Sequence, residues 1–320
     1  MLFEKKVVDF VLGQLLTRQD NPYGIFYFGP EQFPGLHVKA YDFRSAKGHG
    51  LKGFFYCYDG ADPQKLVVFD HGMGNGHRAY MREIETLCRL GFLVYSYDHT
   101  GCMASGGRHI GGFAQSLADL DDCIKQLKRE EFLEGREICV VGHSWGGFST
   151  MNIGAIHREV KKIVSMSGFV SVERIVRQSL GILQSYAPAV VKAEQLENPR
   201  HSRYNALESL EKTKAKVLLI YSEDDKTVLK KEHYDPLYIK FCDSSHVKFL
   251  LLSGKNHNPT YENESVAYKE DFFARFRKAV KKGRLDTPEA REAFFGQFDW
   301  WFMTKQDMAV WQAIADHLNS

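Results

Sequence analysis

Residues 138–147 read Ile-Cys-Val-Val-Gly-His-Ser-Trp-Gly-Gly and contain the pattern Gly-x-Ser-x-Gly. Four apolar residues come first, which is typical of a buried strand, and a helix is expected after Gly147. The pattern therefore predicts a sharp strand-turn-helix with Ser144 at its tip. Such a turn exposes the serine hydroxyl and holds it against a base, while the glycines let neighbouring backbone approach closely. The N–H of Trp145 then opens the helix, where it can stabilise an oxyanion.

Two further predicted strands place an acid and a histidine after Ser144. Residues 216–221 predict one strand, and the acidic residues 223–225 follow it. Residues 247–252 predict the next strand, and His257 comes shortly after it. The carboxyl ends of parallel strands lie on one edge of a sheet, where ligands bind. The order Ser, acid, His therefore predicts a catalytic triad at that edge.

The composition indicates a chain that can form a sizeable core and that has no predicted disulfide bonds. The chain has 320 residues, 44% hydrophobic and 13% aromatic, which suits one large domain with an insertion. No apolar run approaches the ~20 residues of a membrane span. Charges near the N-terminus interrupt the apolar core that a signal peptide needs. Six cysteines without a Cys-x-x-Cys pair are expected to be free thiols in a reducing compartment, so we expect a cytoplasmic protein.

The charge pattern argues against two classes of partner and leaves one local question. A net charge of +2 gives no general attraction to nucleic acid or to a membrane, and neither is expected as a partner. Six basic residues lie between Arg275 and Arg284. We interpret them as the solvated, cation-rich end of a helix, with an anion or lipid-headgroup contact as the alternative. The sequence gives no prediction of the oligomeric state.

Apolar periodicity predicts an alternating order of strands and helices. An amphipathic helix is expected over residues 1–18, followed by a hairpin with strands near 36–41 and 51–58. Strands and helices then alternate over 66–166, which is typical of a parallel sheet wrapped by helices. A final amphipathic helix is expected near 308–318.

Two long segments interrupt this alternation. Residues 168–205 have helical apolar spacing and no strand pattern, and we interpret them as a cap inserted over the site. An ordinary helical connection is the alternative. Residues 260–303 are helical and rich in aromatic side chains, which are more often core than ligand pocket. Both segments are expected to belong to a single domain over residues 1–320.

The segment Asp70–Gly76 leaves the predicted strand 66–69 and contains three glycines in seven residues. Glycine in such a loop lets the backbone come close to a ligand. The N–H of Met73 is therefore a candidate second oxyanion donor beside that of Trp145. A phosphate-binding loop is a weaker alternative, because neither glycine-rich phosphate motif has the spacing found here.

Five segments together resemble a known family. They are residues 71–74, 98–106, 142–146, 225–228 and 254–257. As a set they resemble serine hydrolases of the α/β-hydrolase superfamily, in the branch of monoacylglycerol lipases, lysophospholipases and serine aminopeptidase-like esterases. The resemblance implies the α/β-hydrolase fold, in which a mostly parallel central sheet is flanked by helices and carries a helical cap insertion.

The resemblance also implies roles for individual residues. Ser144 is the implied nucleophile, Asp225 the acid and His257 the base. The family pattern for the acid is Asp-x-x-Val, which Asp225 fits through Val228. Asp224 is the alternative.

Two features depart from the family pattern. Cys102 stands where the family often has glycine, and the segment 260–303 is longer than the usual link to the last helix. Cys102 could be a second nucleophile, but a reactive thiolate needs its own base or cation, so we interpret it as a wall of the site. The residues expected to contact substrate are His71, His143, Cys102, Leu180 and Leu183.

These expectations predict a serine hydrolase that cleaves a carboxylic ester through an acyl-enzyme intermediate. Its expected partner is a small-molecule ester or acyl compound, with no metal and no organic cofactor. Peptidase or amidase, thioesterase and acyltransferase activities stay open, because the same fold and triad recur with many substrates. A non-catalytic ligand-binding protein is the other class, and the presence of all three triad residues argues against it.

Overall fold

Ten strands and twelve α-helices form in the described part of the chain, residues 2–62 and 64–320 of this computed structural model. The strands are β1 (His37–Ala40), β2 (Phe43–Arg44), β3 (Gly50–Leu51), β4 (Gly53–Cys57), β5 (Lys65–Asp70), β6 (Leu93–Tyr97), β7 (Glu137–His143), β8 (Val160–Met166), β9 (Lys216–Ser222) and β10 (Val247–Leu252). The helices are α1 (Leu2–Leu15), α2 (Met81–Arg89), α3 (Gln115–Leu127), α4 (Trp145–Ile153), α5 (Val172–Leu180), α6 (Ala187–Glu197), α7 (Ala206–Lys212), α8 (Lys230–Phe241), α9 (Asn263–Lys281), α10 (Pro288–Phe295), α11 (Trp300–Met303) and α12 (Met308–Asn319).

Eight of these strands build one sheet in the order β1-β4-β6-β5-β7-β8-β9-β10. Strands β6, β5, β7, β8, β9 and β10 are parallel, and β4 and β1 add to one edge in antiparallel pairing. The mostly parallel sheet predicted from the alternating pattern is confirmed. The six parallel strands bring their carboxyl ends to the same edge, which is where β7 ends at His143 and β9 ends at Ser222.

The antiparallel edge differs in detail from the predicted hairpin. Strand β1 pairs with β4, as expected, but the connection between them carries its own short hairpin, β2 with β3. Gly48 has a φ of +83° in that turn. A left-handed backbone of this kind favours glycine, and it lets the chain form a second hairpin inside the first.

Alternate residues of each central strand point to opposite sides of the sheet. Helices pack against these side chains on both faces. Val140 of β7 packs on one face with residues of α3, α4 and α8. Its neighbours Cys139 and Val141 pack on the other face with residues of α2 and α12. All three of these β7 side chains are fully buried. The sheet is therefore the middle layer of a three-layer structure.

The C-terminal excursion forms a small core of its own. Phe26, Phe272, Phe298 and Met303 are buried together, with further aromatic side chains from α9 and α10 packed around them. The segment 168–205 is helical and contains α5 and α6. No helix in the described residues is both long enough and apolar enough to cross a membrane.

Candidate active site

Ser144 occupies the sharp turn between β7 and α4. Its backbone has φ +56° and ψ −108°, a conformation that L-residues rarely adopt. A Cβ atom at Gly146 would lie 2.0 Å from the carbonyl oxygen of Asp70, and one at Gly142 would lie 2.3 Å from that of Gly146. Both positions therefore require glycine, and the tight packing holds the turn in its strained conformation.

Ser144, His257 and Asp225 form a continuous hydrogen-bonded chain. Oγ of Ser144 lies 2.9 Å from Nε2 of His257, and Nδ1 of His257 lies 2.8 Å from Oδ2 of Asp225. A carboxylate oxygen accepts, so Nδ1 of the neutral ring carries the hydrogen. Nε2 is then free to accept the proton of the serine hydroxyl. The arrangement can activate Ser144 as a nucleophile.

The two neighbouring aspartates have different environments. The side chain of Asp225 is fully buried, and its Oδ1 accepts backbone N–H groups of Thr227 and Val228 at 2.8 and 2.9 Å. Asp224 instead accepts the hydroxyl of Ser222 at 2.5 Å and the N–H of Asn256 at 3.2 Å. Its partial burial favours the neutral form, but these donors outweigh it and lower the pKa of Asp224. Asp224 therefore ties the two loops together, whereas Asp225 contacts the histidine.

The two candidate oxyanion donors belong to residues that line the cavity together with Ser144. Trp145 is the first residue of α4, and the first N–H groups of a helix have no acceptor within it. Met73 lies in the loop after β5 and lines the cavity together with Trp145. This loop is glycine-rich, and Gly74 has a φ of +107°. Both N–H groups remain predictions as oxyanion donors.

His143 connects the nucleophile turn to the loop of His257. Its Nε2 lies 2.7 Å from the carbonyl oxygen of His257, which can only accept, so Nε2 donates. Its Nδ1 then accepts from the hydroxyl of Tyr80 at 2.9 Å. Burial, together with the nearby His257, lowers the pKa of His143 well below its usual range. His143 is therefore a neutral support for the histidine loop, and it also lines the cavity.

A buried polar cluster lies under the glycine-rich loop. Nε2 of His99 is 3.0 Å from Asp70 and its Nδ1 is 3.3 Å from Asp119. Burial disfavours the charged ring, but the two carboxylates outweigh it and raise the pKa of His99 to about 9. His71 donates to the carbonyl of Gly72 at 2.7 Å and accepts the N–H of His99 at 3.1 Å. Burial and the charge of His99 lower the pKa of His71 to about 3.

A cavity of about 690 Å³ opens at Ser144 and has two unlike walls. The apolar wall consists of Met73, Phe113, Phe169, Ile175 and Val228. A second group of lining residues, here called the charged wall, comes largely from one face of α9 and from the loop after β9, and it includes Lys226, Val266, Lys269, Glu270, Phe273 and Arg277. The cavity can therefore take an apolar group on one side and a polar or charged group on the other.

Several residues predicted to contact substrate lie elsewhere. His71 and Cys102 are fully buried and do not line the cavity, and burial raises the pKa of the Cys102 thiol. Leu180 and Leu183 line a neighbouring apolar groove of about 560 Å³, formed with α1. That groove shares Met73, Phe113 and Ser179 with the cavity. Of the substrate-contact predictions, His143 alone lies directly on the cavity wall.

The contribution of α9 was not predicted. Val266, Lys269, Phe273 and Arg277 line the cavity at spacings of three or four residues, which places them on one helical face. This spacing is visible in the sequence but gives no indication of what the face contacts. Within the described ranges, no group of three or more His, Cys, Asp or Glu side chains is arranged to hold a metal ion.

Comparison with known structures shows the same fold in several esterases. An esterase from Pyrococcus furiosus is 19% identical, and the match covers 83% of this chain and 98% of that one with a TM-score of 0.59. An acetyl xylan esterase from Paenibacillus sp. R4 is 16% identical, with 87% and 93% covered and a TM-score of 0.56. An acylaminoacyl peptidase from Pyrococcus horikoshii is 17% identical, covers 69% and 37%, and has a TM-score of 0.52. The α/β-hydrolase fold is therefore confirmed.

Sequence comparison identifies the family. The acylamino-acid-releasing enzyme of Mus musculus is 23% identical over an alignment of 211 residues, with 60% of this chain covered. The chain spans 28% of the length of that enzyme. The family model described as serine aminopeptidase, S33, matches residues 61–263, which is more than half of the chain and includes Ser144, Asp225 and His257. The chain thus belongs to the serine aminopeptidase S33 family of α/β-hydrolases.

Proposed function

We propose that this protein is a serine esterase, with Ser144 as nucleophile, His257 as general base and Asp225 as the acid that orients the histidine. The observation that carries the proposal is the hydrogen-bonded chain of 2.9 and 2.8 Å from Ser144 through His257 to Asp225, of which Ser144 and His257 line the cavity. Neither a histidine acceptor nitrogen beside the hydroxyl nor an adjacent cavity is expected for a serine with a purely structural role.

In the proposed reaction His257 takes the proton of Ser144 as the serine oxygen attacks the ester carbonyl. Asp225 fixes the tautomer of the ring and stabilises its charged form. The N–H groups of Met73 and Trp145 hold the negative oxygen of the tetrahedral intermediate. His257 then gives its proton to the leaving alcohol, and water attacks the acyl-enzyme with the proton roles reversed.

The two walls of the cavity support an assignment of the two halves of the substrate. The acyl group is proposed to lie against the apolar wall at Phe113 and Phe169, whose rings pack edge to face at 5.7 Å. Longer acyl chains are proposed to continue into the adjoining groove. Ile175 and Ser179 of α5 line the cavity, which supports the interpretation of residues 168–205 as a cap within one domain.

Peptidase activity is the second candidate, because the family and the matching mouse enzyme are named for it. An aminopeptidase needs a carboxylate to bind the substrate ammonium. Among the described residues that line the main cavity, Glu270 is the one carboxylate, and it accepts from Asn256 and lies 3.5 Å from Lys226. This arrangement favours an ester over an aminoacyl substrate.

The test of the nucleophile is covalent labelling with a fluorophosphonate, which reacts only with an activated serine. Ser144→Ala is expected to abolish labelling and to lower kcat by at least ~10⁴-fold while the fold persists. Ser253→Ala is the control, because this exposed serine follows β10 at the same edge of the sheet. Labelling of the Ser144→Ala protein at the wild-type rate would refute the proposal.

The type of bond that is cleaved is tested with three substrates, of which the first two share one acyl group. We expect the butyrate ester of 4-nitrophenol to be hydrolysed much faster than the butyryl 4-nitroanilide. A free aminoacyl 4-nitroanilide should be the poorest substrate of the three. A preference for the aminoacyl compound would establish the peptidase alternative.

A further inference from the structure

The charged wall of the cavity lies beside His257, on the side from which a leaving group departs. Nζ of Lys269 donates to Oδ1 of Asn258 at 2.7 Å, and Glu270 accepts from Asn256. These two asparagines flank His257 directly in the sequence. In the proposed reaction the histidine must protonate the leaving oxygen, so the leaving group lies on the histidine side. The face of α9 therefore meets the alcohol half of the substrate.

Lys269 lines this part of the cavity, and contacts with neighbouring side chains fix the position of its ammonium group. It lies 4.5 Å from the ring centre of Phe26 and 4.6 Å from that of Tyr261. Aromatic faces attract a cation without neutralising its charge. Burial lowers the pKa of Lys269, and the negative charge of Glu83 partly opposes this shift. Glu83 and Lys269 both line a small adjoining recess, and no ion pair within 4 Å joins their charged groups among the described side chains.

Arg277 lies two helical turns further along the same face. Eight residues of helix separate it from Lys269, a rise of about 12 Å. In the described part of the chain no carboxylate lies within 4 Å of its guanidinium, whereas Lys226 already faces Glu270. Phe273, which lies between Lys269 and Arg277 in the sequence of α9, also lines the cavity. The wall thus carries more positive than negative charge.

We propose that this wall is a subsite for an anionic group on the alcohol half of the substrate, a carboxylate or a phosphate, which the positive charges of Lys269 and Arg277 attract into the cavity. The proposal rests on the proposed esterase function. A carboxylate and a phosphate both have negatively charged oxygens that accept hydrogen bonds from an ammonium or a guanidinium group. This shared feature is what the wall would recognise. A cationic leaving group would meet two like charges and is excluded by the same wall.

The test is a series of butyrate esters whose alcohols carry different charges. The neutral member is 2-hydroxyethyl butyrate, the anionic members are carboxymethyl butyrate and 2-phosphooxyethyl butyrate, and the cationic member is butyrylcholine. Hydrolysis is followed by pH-stat at low ionic strength. We expect kcat/KM for at least one anionic ester to exceed that of the neutral ester by roughly tenfold, with butyrylcholine slowest. The preferred anion then identifies whether carboxylate or phosphate is the natural group.

Variants of α9 assign the effect to the two cations. Lys269→Met and Arg277→Gln should each reduce the ratio of anionic to neutral kcat/KM about fivefold, the size of one partly exposed ion pair. Lys278→Gln is the matched control, because it removes the same charge from the neighbouring residue, which does not line the cavity. The wild-type preference should also shrink in about 0.5 M salt, where surface charges are strongly screened.

The outcomes separate this subsite from the catalytic assignment. If Ser144 reacts with the fluorophosphonate but the neutral ester is hydrolysed as fast as both anionic esters, the subsite is wrong and the esterase proposal stands. A loss of preference in Lys278→Gln equal to that in Arg277→Gln would also overturn the subsite. If Ser144→Ala keeps its activity, the esterase proposal itself fails.

Discussion

Glu194 of α6 should make the protein less stable as the pH rises through neutrality. Its carboxylate is almost fully buried, and it accepts the N–H of Phe113 at 2.5 Å and that of Ala114 at 3.4 Å. Burial raises the pKa of Glu194 to about 7, against an ordinary value near 4.5. The folded state therefore binds a proton that the unfolded chain has already released, and between these two values stability falls as the pH increases.

The size of this effect follows from the two pKa values. Comparing the ionised fractions of the folded and unfolded forms at pH 5 and pH 8 gives a loss of about 2–3 kcal/mol from Glu194. The raised pKa of His99 gives a loss of the same sign, between about 6.5 and 9. The comparison must therefore be made against a variant that lacks only the Glu194 proton.

Glu194→Gln cannot titrate and should lose this part of the pH dependence. We expect the difference in unfolding free energy between variant and wild type to shift by about 2–3 kcal/mol in favour of the variant from pH 5 to pH 8. Urea unfolding followed by circular dichroism measures it, with Glu131→Gln as an exposed control. Parallel pH profiles of wild type and Glu194→Gln would show that the carboxyl ionises normally and would refute the reasoning.

Further variants test the site directly. Asp225→Asn should lower kcat by up to ~10⁴-fold and Asp224→Asn far less, in a side-by-side steady-state comparison, and the opposite ranking would move the acid to Asp224. His143→Phe removes the hydrogen bond to the carbonyl of the catalytic histidine and should lower kcat about 100-fold with little change in KM. An unchanged kcat would leave His143 without a positioning role. Leu180→Ala and Leu183→Ala should shift the preferred acyl-chain length, measured with a series of nitrophenyl esters, without changing fluorophosphonate labelling. Identical chain-length profiles would mean that acyl chains do not enter the groove.

The local features of the fold could be predicted from the sequence because their signals are local. The turn at Ser144 is specified within ten residues by an apolar run and two obligatory glycines. The order of strands then places the acid and the histidine at the same sheet edge, since parallel strands end together. The described geometry brings these residues together, although their catalytic roles are still to be measured.

The walls of the cavity could not be predicted, because they depend on how distant helices pack. The spacing of Lys269, Phe273 and Arg277 defines a face of α9 but not its neighbour. Leu180 and Leu183 have the apolar spacing of a cap, yet they contact a groove completed by α1 and reach the cavity only through shared residues. Cys102 and His71 follow strands at the correct edge, but their side chains turn into the interior.

The backbone of Ser144 also has a consequence for how this sequence can change. A non-glycine residue at a φ of +56° costs on the order of 1–3 kcal/mol, which glycine would avoid. Ser144 therefore occupies a backbone conformation in which glycine would be more stable. Repeated selection for thermal stability alone, with no screen for activity, should replace Ser144 by glycine and give a more stable but inactive protein. At this residue, the substitution that increases stability also removes activity.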